Sequence, residues 1–482
     1  MDSLFLSELE RVVGTEGMVS DQAELITYES DGLVSHRSRP GVAVLPRTAD
    51  QVQAIVRLCH RSDVPFVARG QGTGLSGGAL PHPQGVLIVM TRMNRILDID
   101  LANQRITVEP GVMNLEVTRQ VSPAGYYYAP DPSSQVICSI GGNVAENSGG
   151  AHCLKYGFTV HHVLGVEVVL PDGEIAHFGG DALDSPGLDL LGVLVGSEGT
   201  LAVVTKVTLG LLRRPESVRT LLAAFDSTDA AGNAVSDIIA TGIIPAAIEM
   251  MDRTTIRAAE AAVHPGFPDA EAVLIVELDG PQAEVETLFE QIEAVCDRNK
   301  GWGVQVARDD DQRGRIWMGR KAAFAAMGRV TPSYYVQDGV IPRSTLPEVL
   351  RRIRKLEQDS GLTIGNVFHA GDGNLHPLVC YDDAVDGQAE LAERVASEIL
   401  SYCLDVGGSL TGEHGIGADK ACHMPKMFSA DDLATMQFVR VAFDPSGLCN
   451  PEKLFPTPRL CGEVPGPHRA HPAEVAGVAE RL

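Results

Sequence analysis

The stretch "VARGQGTGLSGGALPHPQ", residues 67–84, carries five glycines at 70, 72, 74, 77 and 78, and its reading decides the fold. A dinucleotide loop of the Rossmann kind needs a helix to start where the glycines end, so that the helix N-terminus meets the pyrophosphate. Here Pro81 and Pro83 deny that helix, and the next segment, "GVLIVM", reads as another strand. The loop therefore lies between strands, where small residues aim several backbone N–H groups into one concavity suited to a diphosphate. Such a nest needs neither Lys nor Arg. Two further loops repeat the chemistry: "SIGGNVAENSGGAHCLKYG" (139–157) and "LVGSEGTLAVVT" (194–205).

The surrounding composition fits a globular protein of more than one domain: 482 residues, 44% hydrophobic, with 50 glycines. Lys and Arg number 39 against 63 Asp and Glu, a net charge of −24, which argues against nucleic acid or an anionic membrane as partner. The opening "MDSLFLSELE" lacks a signal-peptide pattern and no apolar run is long enough to span a bilayer, so the expectation is a cytoplasmic protein. Nine cysteines at 59, 138, 153, 296, 380, 403, 422, 449 and 461 never form C-x-x-C. They read as reduced core thiols, with no iron–sulfur cluster of the chain's own.

Along the chain, "RTADQVQAIVRLCHRSD" predicts a helix capped by Thr48 and Gln51 that buries Val52, Ile55, Val56 and Cys59. The texture changes after "RRPES" (213–217) to helices and strands in alternation. The expected class is α+β: a two-subdomain cofactor domain over 1–215, an α+β substrate (cap) domain with an antiparallel sheet over 216–425, a segment 426–457 returning to the first domain, and a disordered tail over 458–482.

In the second domain, "FHAGDGNLHP" (368–377) predicts a hairpin. A two-residue turn at Asp372-Gly373 would set His369 directly opposite His376, close enough to share a metal ion. A carboxylate should complete the set, and "LTGEHGIG" (410–417) offers Glu413 with His414 beside it as a base. "RGRIWMGRKAAFAAMGRV" (313–330) predicts a helix with Arg320 and Lys321 among apolar neighbours. Either could meet an anion, and periodicity does not choose between them.

"RGQGTGLSGGA", "PDPSS" (130–134), "SIGGNVAENSGG…KYG", "GSEGTL" and "FDPSGLCNPEKLF" together resemble the FAD-linked oxidases of the vanillyl-alcohol oxidase and p-cresol methylhydroxylase type. The likeness spans residues 5–456 and is strongest to the D-2-hydroxy-acid dehydrogenases, the group that includes glycolate oxidase FAD-linked subunits. It implies FAD held by Arg69, Gly70, Gln71, Gly72, Thr73, Gly74, Leu75 and Ser76; by Pro130, Asp131 and Ser133; by Gly141, Gly142, Asn143, Glu146, Asn147, Ser148, Gly149, Gly150, Tyr156 and Gly157; and by Glu198, Gly199 and Asn450. No histidine stands between Arg69 and Leu80 to tether the flavin, so FAD is expected to be noncovalent. Glu452 stands where relatives carry glycine.

The resemblance further implies a divalent metal, zinc by expectation, on His369, His376 and Glu413, with Asn374 nearby. His414 would be the general base and Arg320 the partner of the substrate carboxylate. Relatives that take D-2-hydroxyglutarate carry a lysine just beyond this arginine. "SYYVQDG" (333–339) has none, so the expected substrate is a small 2-hydroxy acid, glycolate or D-lactate. Electrons would then pass to a second flavoprotein-like subunit and an iron–sulfur subunit. The alternatives are a stand-alone D-lactate or D-2-hydroxyglutarate dehydrogenase, a noncatalytic FAD-binding subunit and, from another class, a metal-dependent hydrolase. Oligomeric state is left open.

Overall fold

A computed structural model describes residues 1–180 and 187–456. The chain divides into two units. The first comprises 1–149, 158–213 and the residues from Glu413 on; the second comprises 150–157 and 214–412.

The first unit holds two larger sheets and a two-stranded ribbon of Tyr126–Tyr127 with Leu212–Arg213. In one, Val42–Val44, Val86–Val89 and Phe66–Arg69 run parallel, with Met18–Val19 antiparallel at the edge. The crossover helix Ala49–Arg61 is the one the periodicity predicts: Val52, Ile55, Val56 and Cys59 are fully buried, and Thr48 accepts the Gln51 N–H at 3.3 Å. The other sheet has five antiparallel strands in the order Ile96–Asp100, Arg105–Val108, Val203–Gly210, Val163–Val169, Ile175–Gly179. Glycine loop 67–84 runs between strands, as its prolines require. The second glycine segment departs from a loop: Ser139 caps a helix, Ile140–Glu146, that ends on Asn147 at a φ of 52°.

The second unit is built on a nine-stranded sheet whose main path runs Trp302–Val306, Ser217–Phe225, Ala272–Gly280, Ala247–Asp252, Ile364–His369, Asn374–Leu375, Gly339–Val340. All its pairings are antiparallel. Helices Arg253–Val263 and Asp310–Ala326 cover one face over a core that includes Leu222, Met251, Ile275, Ile316, Trp317 and Val367.

Two expected boundaries move. The chain joins the first unit at Glu413 rather than after 425, because the N–H groups of Ile416 and Gly417 bind Glu198 and those of Ala418 and Asp419 bind the Ser76 carbonyl. Residues 150–157 leave the first domain, since Ala151 packs in the second unit's core and His152 and Tyr156 bond Glu277 and Asp279. The expected tail, 458–482, lies outside the described residues. No helix among those described is long and apolar enough to cross a membrane, and none of the described cysteines is in a disulfide.

Glu277 shows what this sheet face demands. It is 1% exposed in the strand Ala272–Gly280 and accepts hydrogen bonds from Thr220 (2.6 Å), Trp317 Nε1 (2.7 Å), Arg313 Nη2 and Nε (2.8 and 2.9 Å) and pairs with His152 Nε2 (3.1 Å). Burial pushes its carboxyl up, but the bonds from Arg313 and His152 outweigh it and hold the group far below the usual carboxylate range. A depressed value stabilises the fold above the unfolded-state pKa, and that stability drains as pH falls below about 4. Replacing Glu277 with Ala strands Arg313 and should cost about 3–5 kcal/mol, read as a lower melting temperature at neutral pH. The difference from wild type should shrink in acid; a constant difference across pH would contradict the assignment.

Candidate active site

In the first unit the glycine loops converge on a cleft of about 80 Å³, lined by Arg69, Gly70, Gly78, Ser139, Gly141, Gly142, Glu146, Glu198 and Gly199 among others. Glycine lets its walls pack closely. A Cβ on Gly70 would collide with Ser139 Oγ, and one on Gly141 would lie 2.6 Å from Pro110 Cβ. The arrangement is a cradle for a ligand that approaches main chain closely, as a diphosphate does.

Of the expected cofactor residues, Arg69, Gly70, Gly141, Gly142, Glu146, Glu198 and Gly199 line this cleft; others have contacts of their own in the loops. Arg69 donates to the Ser30 carbonyl at 2.6 Å. Its guanidinium also fills the space where a side chain on Gly72 would go. Thr73 and Gly74 pass so close to Gly32 that a Cβ there would meet their carbonyls at 2.9 and 2.7 Å. Ser76 carries the return segment on its carbonyl. The Pro130 carbonyl and Asn143 Oδ1 accept from the buried Asn114 amide, at 3.1 and 3.0 Å. Asn147 Oδ1 accepts the Val160 N–H at 2.9 Å, and the Ser148 carbonyl accepts from Thr159. Asn450 bridges the Gly78 and Glu198 carbonyls at 2.9 and 2.6 Å. Gly149 leaves room for Glu413, whose Oε2 would lie 2.7 Å from a Cβ there. Gln71, Leu75, Asp131 and Ser133 stand in the same loops.

Gly150, Tyr156 and Gly157 go to the second unit, where the Tyr156 hydroxyl bonds Asp279 at 2.7 Å. Ser139 and Gly78, which both lie inside the quoted glycine stretches, also line the cleft.

Glu198 has a particular role. Held at a φ of 53° and 4% exposed, its carboxylate accepts the N–H of Ile416 at 2.7 Å and of Gly417 at 2.6 Å. Burial pushes its carboxyl up to about 7 against the pull of those two N–H groups. It clamps the segment that carries Glu413 and His414, which lie 3.7 Å apart, Oε1 to Nε2. Glu452 adopts a φ of 65°, a left-handed conformation that glycine takes freely and glutamate at a cost.

In the second unit the hairpin register is corrected. His369 pairs with Asn374 across a four-residue turn, Ala370–Gly373, so His376 stands diagonally from His369 instead of opposite it. A left-handed φ falls on Gly373 (83°) but not on Asp372, whose carboxylate accepts the Asn374 N–H at 3.1 Å, so the two left-handed positions of a two-residue turn are not both present. Diagonal neighbours share a face. The imidazoles still meet, with ring centroids 5.2 Å apart and planes at 86°.

Two acids that the sequence reading missed organise this pair. Glu249, with no exposure, lies across from His369 on the strand Ala247–Asp252 and holds its Nδ1 at 2.7 Å. Asp338, also fully buried, lies 3.4 Å from His376 Nε2 and accepts the Gly412 N–H at 3.1 Å. Glu413 follows Gly412 in the chain. Neutral His369 with Nδ1–H donating to Glu249 keeps its Nε2 lone pair for a metal, the carboxylate–histidine pattern of metal sites.

Arg320, 2% exposed, donates Nε to Glu249 Oε2 at 2.6 Å. Its Nη2 lies 2.6 Å from the same oxygen but off-line, with no hydrogen-bond acceptor among the described residues. Lys321 is only half-buried. Phe324, one turn beyond Arg320, packs edge-on to His376 at 5.7 Å.

Residues 214–454 match the family described as FAD linked oxidases, C-terminal domain, and residues 40–179 match FAD binding domain. The chain is 51% identical over 470 residues to the glycolate oxidase subunit GlcD of Escherichia coli (strain K12), covering 97% of this chain and 94% of that one. The chain belongs to the FAD-linked oxidases. The Bacillus subtilis (strain 168) glycolate oxidase subunit GlcD is 39% identical, covering 93% of this chain and 96% of its own. The structure of p-cresol methylhydroxylase with substrate bound superposes with a TM-score of 0.79 at 15% identity, covering 94% and 96%, so the fold is of that type. As an FAD-linked oxidase the chain is an FAD-dependent oxidoreductase, which sets the metal hydrolase aside.

Replacing Glu198 with Ala leaves two buried N–H groups without an acceptor, at about 1–3 kcal/mol each. Amide exchange at Ile416 and Gly417 should accelerate and the melting temperature fall; unchanged exchange would show that the clamp lies elsewhere.

Proposed function

We propose that this oxidase converts a small 2-hydroxy acid, glycolate first and D-lactate second, to the 2-oxo acid. The observation that carries this reading is Glu249: one buried carboxylate holds Arg320 on one oxygen and His369 on the other. A cation for the substrate carboxylate and an imidazole oriented for a metal therefore stand side by side.

Noncovalent FAD in the first unit's cleft supplies the two-electron acceptor for the C2 hydride. A divalent ion on His369, His376 and Glu413, with zinc the expected metal, supplies Lewis acidity toward the 2-hydroxyl. Arg320 orients the substrate through the carboxylate, using N–H capacity that Glu249 does not consume. His414 accepts the hydroxyl proton on its imidazole as the hydride leaves, a task suited to a group whose ordinary pKa lies near neutrality. Asp338, beside His376, disfavours a second carboxylate, and the segment Ser333–Gly339 offers no cation for one. This supports a monocarboxylate over 2-hydroxyglutarate. The relatives named as glycolate oxidase subunits support assembly with further subunits; in this reading a second flavoprotein-like subunit and an iron–sulfur subunit receive the electrons.

Mixed anaerobically with glycolate, the protein should lose its oxidised flavin band. D-lactate should act more slowly and D-2-hydroxyglutarate not at all. Chelation should stop the bleaching and metal return restore it, while His414→Ala should slow it by about 10²–10⁴-fold at unchanged FAD content. Bleaching indifferent to chelation would remove the metal from the reading.

A further inference from the structure

Glu146 is an acid in a cavity built to receive a diphosphate. It ends the helix Ile140–Glu146 and lines the cleft, and its Oε2 is buried without a hydrogen-bond partner among the described residues. Two glycines make room for the carboxyl. A Cβ on Gly78 would lie 2.5 Å from Oε1, and one on Gly415 would collide with Oε2.

The charges around it do not favour a carboxylate. Glu198 faces it with both oxygens already committed to Ile416 and Gly417, and Asp31 adds a second negative charge that Arg69 shares. Lys420, 1% exposed, is the cation acting on it, while Lys453 acts on Glu198. Burial first, and then Glu198 and Asp31, push the Glu146 carboxyl well above the usual range, with Lys420 opposing. A charged Glu146 would also repel the phosphates that the glycine loops are shaped to hold. The neutral acid removes both conflicts and turns an acceptor into an O–H donor.

We propose that Glu146 stands in the cleft as the carboxylic acid and donates a hydrogen bond to bound FAD, so that cofactor capture retains one proton. This rests on the FAD-binding assignment and not on the choice of substrate. No covalent step is involved; the proton stays on Glu146. In the bound state the acid is held more tightly than in the empty cleft. FAD affinity is therefore highest at low pH and falls once pH exceeds the empty cleft's value, with one proton taken up per FAD in that window.

The test is titration of the deflavinated full-length protein with FAD as a function of pH, following flavin fluorescence, with calorimetry in buffers of different ionisation heat. Within the window the wild-type Kd should weaken by about tenfold per pH unit with proton uptake approaching one. Glu146→Gln, which keeps a donor but cannot ionise, should lose both the slope and the uptake. In the wild-type holoenzyme, infrared spectra should show the C=O stretch of a buried protonated carboxyl, a readout that needs no variant. FAD binding without proton uptake, or with the same slope in Glu146→Gln, would overturn the proposal alone. Failure to bind FAD at any pH would overturn the cofactor assignment with it.

Discussion

Glu249 and Glu277 lie on the same face of an antiparallel sheet, two carboxylates with almost no access to water, on neighbouring strands where Ala247 pairs with Glu277. Leaving either without a partner would cost several kcal/mol. The helix Asp310–Ala326 crosses this face with Arg313, Trp317, Arg320 and Phe324 at the spacing of one helical stripe. Arg313 and Trp317 satisfy Glu277, Arg320 satisfies Glu249, and Phe324 packs on His376. The position of the helix and the orientation of His369 are thus fixed by the same electrostatic requirement.

The first unit meets a different constraint. Five glycines line its cleft, and close approach of main chain requires missing side chains and left-handed turns. Gly70 and Gly141 supply the first, while Asn147, Glu198, Asn450 and Glu452 adopt the second without being glycine. Such conformations persist only where the surroundings over-determine them. Glu198 is fixed by Ile416 and Gly417, and Asn450 by Gly78 and the Glu198 carbonyl. The strained positions therefore also tie the return segment to the glycine loops.

What could be read from the sequence follows from this physics. Prolines 81 and 83 exclude a helix by local geometry alone, and the amphipathic helix Ala49–Arg61 declares its buried face by periodicity. The two histidines share a hairpin and a face as the pattern indicates, although the register differs because Asp372 lacks the left-handed φ that a two-residue turn needs. Glu249 and Asp338 were not legible. An acid inside "AAIEMMD" has no local sign of its partners, since His369 and Arg320 lie 120 and 71 residues away. The Tyr156–Asp279 bond was not legible for a similar reason: the two residues lie 123 positions apart.

The account turns on whether Glu249 presents His369 to a metal. The most direct measurement is anomalous diffraction at the zinc edge from crystals of the purified protein, refined alongside the metal content in solution. A peak within bonding distance of His369 Nε2, with His376 as second ligand and Glu249 still on Nδ1, is the result expected. A protein that is active and metal-free, or a metal bound elsewhere, would contradict it.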